Sequence, residues 1–268
     1  MAAAVDWLLE GDPSVRWQAQ RDLLDAPEAE WFESRARVAK EGWGAQLLAL
    51  QDPGGTWGDG LYTPKWTSTN YTLLQLRRLG IEHDNSAARA GVRRLLDDAA
   101  WHEGGVSYWA SRELAERCVN GMVLSSAAYF RYDDPRVDSI AELLISVPRP
   151  DGGWNCEDYR GGTHGSFHTT ISVLEGLLEW KRATGRHDAD EAILRGQEFM
   201  LIHEMFKSHR TGEVINEAWL KGWFPPRWHY DIYRGLDHFQ RSEAVPDERA
   251  GDAIELLEAA RRPDGRWP

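Results

Sequence analysis

One short pattern recurs along the chain and limits what it can fold into: a glycine turn closed by tryptophan. The copies are Gln51-Asp52-Pro53-Gly54-Gly55-Thr56-Trp57, Arg149-Pro150-Asp151-Gly152-Gly153-Trp154 and Arg262-Pro263-Asp264-Gly265-Arg266-Trp267. Gly104-Gly105-Val106-Ser107-Tyr108-Trp109 is a weaker copy, and Thr211-Gly212-Glu213-Val214 a further candidate. Proline presets φ and glycine permits positive φ, so each copy is turn chemistry. The tryptophan that follows is free to pack back onto the flanking segments. Recurrence at roughly fifty residues marks a repeat protein, in which no unit buries its apolar face alone.

Helix-period segments separate the turns. Thr69 to Leu79, Cys118 to Phe130, His168 to Trp180 and His229 to Phe239 are apolar and rich in small residues. Each precedes a more charged segment: Ser86 to Ala99, Pro135 to Val147, Asp188 to His203 and Pro246 to Arg261. Pro13 to Leu24 and Ala29 to Leu50 form a first pair, and no strand-period run of useful length stands out. Apolar helices alternating with amphipathic ones predict an all-α chain with an inner and an outer helix layer. Strong curvature closes such a stack into a ring, and weak curvature leaves an open solenoid. The whole of 1–268 reads as one domain, with 1–50 the leading helix pair and 51–268 the turn repeats.

The turns resemble those of squalene-hopene cyclases and of protein prenyltransferase β subunits, from about Gly42 to the end. The resemblance implies an α/α toroid of the terpenoid cyclase and protein prenyltransferase superfamily. Such rings have about six inner helices; about five are legible here. The chain ends at Trp267-Pro268, just after a turn that introduces another. The expected ring is therefore incomplete, an (α/α)6 barrel whose closing inner helix is missing.

Aligning the inner segments puts Cys118 and His168 at the same repeat position, with Glu116 at or before the helix start. Oxygen, sulfur and nitrogen donors with one open position make a catalytic zinc pattern. The resemblance sharpens at these residues. Glu116-Arg117-Cys118 is similar to the Asp-x-Cys of prenyltransferase β subunits, with Glu in place of Asp, and Phe167-His168-Thr169 is similar to their Tyr-His-Thr segment. It implies Zn2+ held by Glu116, Cys118 and His168. Cys156, in the preceding turn, is a candidate fourth ligand or a nucleophile, and His164 a weaker candidate. A buried cysteine or a hydrogen-bonded core histidine is the alternative for these residues.

Pro225-Pro226-Arg227-Trp228-His229-Tyr230-Asp231 opens the last inner segment. Arg227 is a candidate for holding phosphate or carboxylate. His229 and Asp231 are candidate acid or base. Arg227 and Asp231, four apart on one helix, could instead pair with each other. Trp66, Tyr71, Trp228 and Tyr230 are candidate walls for an apolar substrate or faces for a cation. The basic run Lys207, His209 and Arg210 is either a diphosphate site, as the resemblance implies, or a solvated loop.

The Asp-x-Asp-Asp acid motif of class II cyclases is absent; Asp188-Ala189-Asp190-Glu191 comes nearest and reads as a helix-start carboxylate cluster. Three readings follow: a zinc-dependent prenyltransferase- or terpenoid-type enzyme acting on an isoprenoid or other apolar molecule, a metal-independent cyclase using Asp231, and a non-catalytic toroid that binds lipid or protein. A protein partner remains open in all three. The formal charge of −12 disfavours nucleic acid, which needs clustered cations. Two cysteines are too few for a disulfide framework, and Met1 to Glu10 lacks the pattern of a signal peptide. No run approaches the length of a membrane span. A cytoplasmic location is the expectation.

Overall fold

The computed structural model describes residues 2–109, 113–157 and 160–267. Twelve α-helices account for most of them, with one two-stranded ribbon, β1 (Ala100–His102) against β2 (Gly105–Ser107). The all-α expectation holds at that level. The chain divides into two compact units, residues 1–97 with 261–268 and residues 98–260.

The first unit holds α1 (Ala2–Glu10), α2 (Pro13–Asp22), α3 (Glu28–Ala36), α4 (Gly42–Ala49), α5 (Thr69–Leu79) and α6 (Ser86–Asp97). Asp12 caps α2, accepting from the Ser14 N–H at 2.9 Å, and Pro13 opens the helix. The expected single segment from Ala29 to Leu50 is two helices. Gly42 sits at φ +64, outside the helical region, and the Asp12 carboxylate takes the Trp43 N–H at 2.8 Å. Nearly every residue of α5 is buried, whereas α6 buries one stripe, Ala88, Gly91, Val92, Leu95 and Leu96.

The second unit repeats that contrast. It holds α7 (Arg117–Tyr129), α8 (Pro135–Ser146), α9 (Phe167–Thr184), α10 (Asp190–Ile202), α11 (Ile232–Arg241) and α12 (Gly251–Ala259). Of α7 only Cys118 is not buried, and of α9 only His168 escapes burial before Lys181. The amphipathic α8 buries Val137, Ile140, Ala141, Leu143 and Leu144 beside them. Helices α7 and α9 are the most extensively packed pair in the chain. Glycine makes this possible: a Cβ on Gly121 would lie 2.5 Å from the Ser172 carbonyl oxygen, and one on Gly176 would lie 2.5 Å from that of Gly121.

The tryptophan turns are one structure built more than once. In the first unit the Trp57 N–H donates to Thr69 Oγ1 (3.0 Å), and its indole N–H to the Leu47 carbonyl (2.7 Å). In the second, the Trp154 N–H donates to Thr170 Oγ1 (3.0 Å), and its indole N–H to the Leu144 carbonyl (2.9 Å). Each ring lies against an outer-helix glycine, Gly91 or Gly196, where a Cβ would come within 2.6 Å of it. The weaker copy keeps the wiring with other residues: the Val106 N–H donates to Asn120 Oδ1 at 2.8 Å. The turn at Arg262 closes as the turn at Arg149 does, each with its arginine N–H donating to a carbonyl four residues on at 2.7 Å. Trp57 and Trp154 are staples, each joining a turn to two helices. A fully buried indole must find an acceptor for its N–H, and each does.

Candidate functional site at the starts of helices α7, α9 and α11

Glu116 is the N-cap residue of α7 and is buried, which places its carboxylate at the helix start as the sequence required. Cys118 and His168 are each the second residue of their helices, α7 and α9. Both are half-buried at the same end of a closely packed pair. Cys156, from the turn before α9, comes to this point too: the Cys118 N–H donates to Cys156 Sγ at 3.0 Å across 38 residues of sequence. Both cysteines are free thiols.

His168 looks toward the last inner segment. Its Nδ1 accepts the Tyr230 backbone N–H at 2.7 Å. Its ring meets Trp219, Trp228 and His229 edge-on, with centroids 5.7, 5.0 and 5.8 Å away. Burial, then the neighbouring His229 and Arg234, lowers the imidazole pKa to about 4, so it is neutral near pH 7. An Nδ1 that accepts leaves the ring proton on Nε2.

The segment before α11 corrects one expectation. The helix starts at Ile232, not His229, and Arg227 has φ +57. Arg227 and Asp231 therefore do not share a helix face, which is the geometry an (i, i+4) pair needs. Asp231 is the N-cap of α11 and almost wholly buried. Its Oδ1 accepts from the Arg234 N–H (2.8 Å), and its Oδ2 from the Trp223 N–H (3.3 Å). Backbone donors engage both oxygens, and the first of these bonds is the usual one of a helix cap. Tyr230 is buried, with its hydroxyl donating to the Met205 carbonyl (2.6 Å). Trp228 stacks on His229 at 3.9 Å.

Sequence reading passed over Arg234 and Glu175. The Arg234 guanidinium is buried and bonds the Glu175 carboxylate twice, Nε to Oε1 at 2.8 Å and Nη2 to Oε2 at 3.1 Å. It also donates to the His229 carbonyl at 2.8 Å. This pair ties α11 to α9 just below His168. The signal was faint: a glutamate within a largely apolar stretch of α9, at Glu175.

Trp66 and Tyr71 lie in the first unit. With Tyr62 they surround the Lys65 ammonium, which lies 4.0 Å from the Tyr62 ring centre and donates to both tyrosine hydroxyls. The faces assigned to a substrate cation hold the chain's own cation. In the basic run, Lys207 pairs with Glu204 and Asp252. His164, with His209 and Arg210, lines a separate cavity.

Glu116, Cys118, Cys156 and His168 have the donor chemistry of a zinc site. Among the described residues no three His, Cys, Asp or Glu side chains are grouped to hold a metal ion. A neutral imidazole binding zinc through Nε2 carries its proton on Nδ1, where it donates to an acceptor. At His168 that nitrogen meets the Tyr230 N–H instead. Among the described residues, no helix is long and apolar enough to cross a membrane. Compared with protein-family models, curated proteins and solved structures, the chain matches none.

Proposed function

We propose that the chain is an α/α toroid of the terpenoid cyclase and protein prenyltransferase type, an enzyme that takes an apolar or isoprenoid-like molecule. The observation that carries this reading is the shared register of Cys118 and His168 at the second residue of two buried, glycine-packed helices, with Cys156 and Glu116 beside the first. The repeated tryptophan turns and the alternation of buried and amphipathic helices support the toroid.

Zinc belongs to the proposal with one condition. Glu116, Cys118 and Cys156 would be the ligands at the start of α7, and a bound zinc would hold the thiols as thiolates at neutral pH. His168 joins them only by releasing the Tyr230 N–H. In this arrangement the chain's own groups offer two thiols, and an imidazole that is neutral and donates from Nε2. The route through Asp231 as acid has less support, because that carboxylate is held as a cap.

Metal analysis of the purified protein tests the proposal, together with calorimetric titration of farnesol and farnesyl diphosphate. We expect about one zinc per chain, lost in Cys118→Ala and His168→Ala, and binding of an isoprenoid by the wild type. A zinc-free protein that takes up none from solution would remove the metal. Failure to bind either isoprenoid would leave the non-catalytic, partner-binding toroid.

A further inference from the structure

Helix α7 begins without the usual side-chain cap. Its N-cap residue, Glu116, makes no capping bond with its side chain. The first four N–H groups of a helix have no partner inside it. The N–H of Cys118, the second residue of α7, donates instead to Cys156 Sγ at 3.0 Å. A sulfur from the turn before α9 thus stands where a capping oxygen would.

That contact brings two thiols within bonding reach. A backbone nitrogen is one bond from its Cα, so Cys156 Sγ lies no more than about 4.5 Å from the Cys118 Cα. A disulfide closes between Cα atoms up to about 7 Å apart, and only the Cys156 side chain remains to be spanned. The Cβ of a helical residue tilts toward the helix N-terminus, so the Cys118 side chain leaves the backbone on the side where the Cys156 sulfur sits. Both residues are half-buried free thiols, open to an oxidant as small as hydrogen peroxide.

We propose that Cys118 and Cys156 are a modification site, converted by a hydroperoxide to a reversible disulfide. One thiol gives up its proton and attacks the peroxide; the O–O bond breaks, leaving a sulfenic acid on that sulfur and releasing water. The second thiol attacks the sulfenic sulfur; the S–S bond forms, the S–O bond breaks, and a second water leaves. The two sulfurs together lose two electrons, which the peroxide gains. A dithiol reductant reverses the step by exchange. The bridge ties the turn before α9 to the start of α7, and it leaves neither sulfur as a thiolate ligand. Its consequence for a metal rests on the zinc reading above; the bridge itself rests only on the contact between the two cysteines.

The test treats the reduced protein with excess hydrogen peroxide, with a chelator present so that no bound metal shields the thiols. Free thiols are then alkylated under denaturing conditions, and the intact mass and peptide map are read. We expect the loss of two hydrogens per chain, no thiol left to alkylate, one linked peptide pair carrying Cys118 and Cys156, and return of both thiols with dithiothreitol. In Cys118→Ser and in Cys156→Ser the remaining cysteine has no resolving partner, so dimedone should label its sulfenic acid about tenfold or more above wild type. No part of this readout needs metal, so zinc binding and bridge formation can fail independently. Free thiols that persist in the wild type, sulfinic acids in place of a bridge, bridges only between chains, or equal dimedone labelling of wild type and variants would overturn the proposal.

Discussion

The Tyr230 backbone N–H donates to Nδ1 of His168 over 2.7 Å, joining residues 62 apart in sequence. That bond fixes the imidazole as the Nε2–H tautomer. In the metal-free protein, nitrogen-15 spectra of the histidine rings should show His168 protonated at Nε2 and not at Nδ1. Adding zinc should move the proton to Nδ1 or release the bond. An Nδ1-protonated ring in the metal-free protein would contradict the geometry.

The contact between α7 and α9 depends on two glycines. A methyl at Gly121 would sit within 2.6 Å of two backbone atoms of Ser172, so the helices must part. We expect Gly121→Ala to destabilise the fold by about 3 kcal/mol or more, at the upper end of overpacking costs. Gly185 makes a control, because a Cβ there meets nothing within 4 Å. Its φ of +71 makes alanine cost only about 1 kcal/mol. Urea unfolding of the two variants checks the contrast, and equal losses would show that the helix contact is not the tight point.

Arg234 and Glu175 form a buried, doubly hydrogen-bonded pair, with side chains 1% and 9% exposed. Removing one partner strands the other charge. Glu175→Gln should therefore cost about 3–5 kcal/mol, whereas the double variant Glu175→Leu with Arg234→Met should recover most of it. A double-mutant cycle measures this, and additive losses would show that the pair is not coupled.

His238 is buried, with its pKa lowered to about 4 chiefly by burial. Arg241, Arg182 and Arg234 lower it further, and Glu175 opposes them. In the unfolded chain a histidine titrates near 6.5. Between these values the unfolded chain holds more protons, so stability is full above about pH 6.5 and declines as the pH falls toward 4. The loss is on the order of 3 kcal/mol. Urea midpoints at pH 7.5, 5.5 and 4.5 should fall in that order, and His238→Phe should flatten the slope. An unchanged slope in the variant would place the acid sensitivity elsewhere.

Helix alternation, the tryptophan turns and the common register of Cys118 and His168 were legible in the sequence, because each is local. A Pro-Asp-Gly turn and a helical period are set by φ, ψ and side-chain spacing over a few residues. The same local logic placed Glu116 at a helix start. It fell short at Ala29 to Leu50 and at His229. In the first case Gly42, at φ +64, opens a separate helix whose Trp43 N–H the distant Asp12 carboxylate takes; in the second the helix starts only after its Asp231 cap.

By itself, then, the sequence determined a mostly helical chain of repeated turns, with thiol, carboxylate and imidazole donors gathered at helix starts. Only the tertiary structure decided what those donors face. It brought Cys156 to Cys118, gave His168 to Tyr230 and Arg234 to Glu175, and filled the Trp66 and Tyr71 faces with Lys65. The first three pairings join groups 38 to 62 residues apart in sequence. At that separation the partner is chosen by how the helices pack, and several arrangements satisfy the same local pattern. The cage around Lys65 is short-range in sequence, yet the tyrosines and Trp66 close on the lysine only once the turn before α5 has taken its shape.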